Sequence, residues 1–148
     1  MKARSRGNGM GKTVRFVIPG KPQGKARARY NRKQQRIYTP HQTALYEEII
    51  ASEYLAQVGA GVALRGPIGV IIVANFKIPK GAGKNRRAEM LEGKIRPEIK
   101  PDVDNIEKAV LDSLNGIAYD DDKSVVDCHT RKFYHEENNL IVILSEIG

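Results

Sequence analysis

Apolar and polar residues alternate along some stretches of this chain and recur at helical spacing along others. Thr13 to Ile18 (TVRFVI) alternates, is rich in β-branched residues and is closed by Pro19-Gly20, which predicts a strand. Pro67 to Ile78 (PIGVIIVANFKI) is a longer β-rich run and predicts a central strand. Ser124 to Tyr134 and Leu140 to Ser145 predict two more, joined by His135-Glu136-Glu137-Asn138-Asn139. Ala44, Ile49, Ile50, Tyr54 and Leu55 approximate helical spacing up to Gly59, with Thr39 as N-cap and Pro40 at the first helical position. Val103, Ile106, Val110 and Leu114 mark the apolar stripe of another helix, expected to face the sheet and to stop at Asn115-Gly116. A short helix is expected around Arg86 to Leu91, inside a basic insertion from Pro79 to Lys100. The order β-α-β-(α)-α-β-β predicts an α+β fold, a single domain with a mainly antiparallel sheet packed with helices. No internal repeat interrupts it, and 148 residues suffice for one core.

Charge narrows the class of partner. The formal net charge is +8, and the first 40 residues carry twelve Lys and Arg with no acid. Such a balance favours nucleic acid, with an anionic membrane surface the weaker option. Met1 to Lys12, rich in glycine and charge, reads as a flexible basic tail, leaving 13–148 as the folded domain. It lacks the apolar core of a signal peptide, and no apolar run approaches the ~18–20 residues of a membrane span. The single cysteine, Cys128, excludes an intrachain disulfide or a cysteine-based zinc site and fits a reducing cytoplasm. Lys21 to Arg36 reads as a basic loop. Within it Lys25, Arg27 and Arg29 alternate with alanines, a pattern suited to contacts with backbone phosphates. Lys84, Arg86 and Arg87 are second candidates for such contacts.

Against this basic background the acids are concentrated. Residues 100–122 hold Asp102, Asp104, Glu107, Asp112, Asp120, Asp121 and Asp122 against two lysines. Clustered carboxylates raise each other's pKa unless a cation sits among them, and a hard divalent ion is the usual neutraliser of oxygen-only sites. At about 100° per residue, Asp104 and Lys108 lie one turn apart at the edge of the apolar stripe. The plainer account is that Asp102 caps the helix, Lys108 makes an i,i+4 ion pair, and Asp120-Asp121-Asp122 is a solvated turn. From the residues alone both accounts stand. Other apparent motifs fail. Gly11-Lys12-Thr13 lacks the first glycine of a phosphate-binding loop, Glu107 replaces the essential glycine of a calcium loop, and His41, His129 and His135 have no zinc spacing.

The run KPDVDNIEKAVLDSLNGIAYDDD, Lys100 to Asp122, resembles the signature of the RusA-type Holliday junction resolvases. The pattern is Asp-x-Asp-Asn, a lysine four residues after the second Asp, an Asp-Ala/Ser-Leu-Asn-Gly turn, and an Asp-Asp pair before a strand. The likeness is continuous from about Ile99 to Tyr134. A weaker match covers Ile18-Pro19-Gly20-Lys21-Pro22 with the following basic loop, and Tyr38-Thr39-Pro40. The resemblance implies a small Mg²⁺-dependent endodeoxyribonuclease of bacterial or phage origin, with Mn²⁺ a possible substitute. It implies a homodimer that resolves four-way junctions by symmetric paired nicks. It further implies that Asp102, Asp104 and Asp122 bind metal, with Asp121 the alternative because this chain has a triplet in place of the pair. Lys108 matches the family's required lysine, and Lys132 a recurrent basic strand position, from which a contact to DNA is expected. Pro101 stands where the family can carry a basic residue, so a phosphate contact is expected to pass to Lys100. Nucleases acting on flaps or forks, and a basic DNA-binding module whose acids are structural, are the competing expectations.

Overall fold

A computed structural model describes residues 2–4, 6–7, 11–26, 29–31, 36–38 and 41–148. Before the main domain, β1 (Lys2–Arg4) pairs antiparallel with β2 (Arg6–Gly7). The core sheet contains β3 (Thr13–Pro19), β6 (Ile68–Lys77), β7 (Val125–His135) and β8 (Asn139–Glu146), in the order β3-β8-β6-β7. Two of its interfaces are antiparallel, and β6 with β7 is parallel. The parallel pair arises because the connection from β6 to β7 carries two helices, α2 (Lys84–Leu91) and α3 (Val103–Ser113), and so must return before β7 begins. The basic loop is not without structure: β4 (Arg29–Asn31) lies inside it and pairs with β5 (Arg36–Tyr38), which begins at its last residue. The expected N-cap at Thr39-Pro40 lies outside the described residues, and α1 is described over His41–Gln57.

One face of the sheet carries the core. Phe16 and Ile18 of β3, Val70, Ile72, Ala74 and Phe76 of β6, and Leu140, Val142 and Leu144 of β8 are buried there, at every second position. Against them lie Tyr46, Ile50 and Tyr54 of α1 and Ile106, Ala109, Val110 and Leu114 at α3. Two expectations about helix faces need correction. The α1 face runs through Thr43, Tyr46, Ile50 and Tyr54, whereas Ile49 and Leu55 lie roughly 100° or more off that row and are largely exposed. On α3, Ile106, Val110 and Leu114 are buried as expected, but Val103 is 45% exposed. The layer covering this stripe begins one turn into the helix, so the first turn and its acids stand clear of the core.

Candidate active site

The start of α3 presents two carboxylates. Asp102 is the N-cap residue with extended backbone, and its side chain makes no capping hydrogen bond. An aspartate here normally accepts from a backbone N–H in the first turn. The capping account therefore does not explain the Asp102 carboxylate. Asp104, in the first turn, is exposed and, among the described residues, accepts only the local N–H of Asn105, at 3.0 Å.

The approach to these acids is held from two sides. The Lys132 ammonium donates to the carbonyl oxygens of Ile99 and Pro101, the latter at 2.9 Å. On the opposite flank the loop after β3 packs against Pro101 and Asn105. The Lys25 N–H donates to Asn105 O at 2.8 Å. Glycine is required at position 24, because a Cβ there would stand 2.8 Å from Pro101 Cβ and 2.9 Å from Asn105 Cβ. Between loop and helix lies a groove of about 280 Å³, lined by Gly24, Lys25, Ala26, Lys100, Pro101, Asp102 and Asn105. Lys100 is exposed at its rim.

The far end of α3 is different. Asp112, with its side chain 23% exposed, pairs with Lys25 at 2.9 Å and with Lys108 at 3.8 Å. Glu47 of α1 takes the Lys25 ammonium at 3.0 Å. Burial alone would lower the Lys25 pKa, but the hydrogen bonds and charges of Asp112 and Glu47 outweigh it and hold the ammonium above its ordinary value. Lys25, expected to contact phosphates, thus ties its loop to α1 and α3 through two carboxylates. Lys108 turns towards Asp112 rather than Asp104 and stays 64% exposed.

After α3 the chain reverses. Gly116, at φ 75°, permits a turn in which its N–H donates to Tyr119 O at 2.7 Å. The buried Tyr119 hydroxyl donates to Leu111 O at 2.7 Å, and the Asp122 N–H donates to Asn115 Oδ1 at 2.8 Å. Asp121 caps a 3-10 turn over Asp122–Ser124 by accepting the Lys123 N–H at 2.8 Å. The Asp122 carboxyl is pushed up by burial, then by its contact with Asp121 and the charges of Asp112 and Asp121, with Asn115 opposing. The turn therefore delivers Asp122 to the C-terminal end of α3.

At about 1.5 Å per residue, Asp102 and Asp112 are roughly 15 Å apart along the helix axis. The structure brings Asp102 and Asp104 together at one end, and Asp112, Asp121 and Asp122 at the other. Among the described residues, no group of three or more His, Cys, Asp or Glu is arranged to hold a metal. Arg27 lies outside the described residues, and Arg29 opens β4. Of the second basic group, Arg87 pairs with Glu136 at 3.5 Å. His129 and Asp127, two residues apart on β7, pair at 3.1 Å. Cys128 is half-buried against the core, its thiol pushed up to about 12 by burial and then by Glu107. The role of Asp112 as joint partner of two lysines is not legible in the sequence. Its i,i+4 relation to Lys108 was visible there, but nothing marked Lys25, 87 residues away, as the other partner.

A family model described as endodeoxyribonuclease RusA matches residues 19–145. An uncharacterised Bacillus subtilis (strain 168) protein, YqaN, is 30% identical over 142 residues, covering 91% of this chain and 97% of that protein. The family match begins at the last residue of β3 and takes in α1, β6, the groove, both ends of α3, β7 and all but the last residue of β8. The chain belongs to the RusA endodeoxyribonuclease family.

Proposed function

We propose that this protein is a Mg²⁺-dependent, homodimeric endonuclease that resolves Holliday junctions by paired nicks, in a bacterial or phage setting. The observation that carries the reading is the uncapped Asp102 carboxylate beside the exposed Asp104, at the edge of a groove in a protein of net charge +8. The donor chemistry fits a hard cation, since every candidate ligand is a carboxylate oxygen. The Asp122 carboxyl is pushed up by burial first and then by its acidic neighbours, and a nearby cation would favour its charged form. Asp102 and Asp104 are the primary pair. Asp122 lies at the other end of α3, roughly 15 Å away along its axis, so within one chain it does not share an ion with that pair; as a further acid of the site it is preferred over Asp121, which already caps the following turn. When bound, Mg²⁺ or Mn²⁺ would lower the pKa of a water and offset charge on the phosphoryl oxygens.

The remaining residues orient and neutralise. Lys108 projects from the same edge of α3 and offers its exposed ammonium to a phosphate oxygen. Lys100, at the groove rim, is suited to a flanking phosphate, with Arg27 and Arg29 extending the contact. Two symmetric nicks require two sites related by a two-fold axis, which a homodimer supplies. The test is nicking of synthetic four-way junctions, flaps and forks in Mg²⁺ and in Mn²⁺, by wild type and Asp104→Asn. Paired junction cuts by wild type, reduced by about 10²–10³-fold or more in the variant, are expected. Cleavage confined to flaps or forks would change the substrate. Junction binding without cleavage in either ion would leave a DNA-binding module.

A further inference from the structure

Lys132 lies at the centre of β7, opposite Ala74 in the parallel register and on the core-facing side of the strand. Its ammonium stands 5.8 Å from the centre of the Phe76 ring and donates to Ile99 O and Pro101 O. An ammonium has three donors and no acceptor, so two of the three are engaged by main chain. A lysine that contacts phosphate projects its charge outward, and this one points into the segment leading to Asp102. Nor does it stabilise the helix directly, because a cation near the N-terminus of α3 opposes the helix dipole. What it does fix is the path of Ile99 to Pro101. The same segment is pressed from the other side by Gly24 and held by the Lys25 N–H bond to Asn105.

We infer that Lys132 is a positioning residue, which sets Asp102 and Asp104 by tying the Ile99–Pro101 carbonyls to β7, and is not a DNA contact. The inference rests on the metal role proposed for those two aspartates, but the tie itself does not depend on it. Groups that orient metal ligands from behind contribute about 10–100-fold to affinity when removed.

The experiment compares wild type with Lys132→Met, which keeps the apolar stem over Phe76 and removes the donors. Three quantities are read: Mn²⁺ affinity by titration, hydrogen exchange of the amides from residue 102 to 106, and metal-free junction affinity against salt. The expected result is Mn²⁺ affinity about 10–100-fold weaker, faster exchange at those amides, and junction affinity and salt slope unchanged. Unchanged exchange and Mn²⁺ affinity, with weaker junction binding and a salt slope smaller by about one, would overturn the inference in favour of a phosphate contact. If wild type binds no Mn²⁺ and cuts nothing, the metal reading fails, and exchange alone decides the tie. Should Lys132→Met not fold, Lys132→Gln is read in the same assays, with the same direction required.

Discussion

The two ends of α3 carry the same chemical group in different circumstances. At the C-terminal end, Asp112 is flanked by Lys25 and Lys108, and Glu47 completes the charge balance around Lys25. At the N-terminal end, Asp102 accepts no capping hydrogen bond and Asp104 accepts one local N–H. A carboxylate with two lysines beside it holds the fold together, whereas an exposed one with no cation beside it among the described residues is left to the solvent. Asp122 sits at the first end without such support: burial, and then its acidic neighbours Asp121 and Asp112, push its carboxyl up. Sign and partner, more than position along the helix, separate the tied acids from the untied ones here.

Substitutions can break this contrast at either end. The largest effect is expected from Asp102→Ala, which should reduce metal-dependent cleavage by about 10²–10³-fold. Urea denaturation of the same variant should show a change within about 0.5 kcal/mol, since no capping bond is lost. A loss above ~1 kcal/mol would restore capping as the role of Asp102. Asp112→Ala should invert the pattern. It leaves Lys25 with only Glu47 and should lower stability by about 1–2 kcal/mol, between the values for exposed and buried pairs. Its cleavage rate per folded molecule should fall less than that of Asp102→Ala.

The smallest effect sharpens the contrast through pH. The folded pKa of Asp122 is raised, so the fold loses stability as pH rises through that range, and the penalty is complete above it. Asp122→Asn removes the ionisation. Its melting temperature should exceed that of wild type by about 1–3 °C at neutral pH, with the difference shrinking as acid protonates the wild-type group. Melting curves in metal-free buffer at several pH values test this, and equal melting temperatures at neutral pH would remove Asp122 from the strained set.

Strands β3, β6, β7 and β8 and all three helices were legible in the sequence because alternation and helical spacing survive without tertiary context. Asp104 and Lys108 were legible as neighbours for the same reason. Periodicity gives the direction of a stripe and not the extent of the layer covering it, which is why Val103 was misread as facing the sheet. Ion-pair partners are hidden more deeply. The contacts that Lys25 and Lys132 make within the fold are not legible, because a lysine's partner depends on where distant parts of the chain pass, and the partners of both are tertiary. The β4–β5 pair was hidden within a basic loop whose strands have only three residues each.

Strand β8 lies between β3 and β6 although it follows both of them, and β7, in the chain. During synthesis, therefore, β3 has no sheet partner until β8 has emerged, and the ribosome can have delivered both ends of α3 well before the sheet that supports them closes. An unfinished chain would hold every candidate acid without the platform that orients them. Activity arising only after β8 docks would separate translation of a DNA-cutting protein from its capacity to cut.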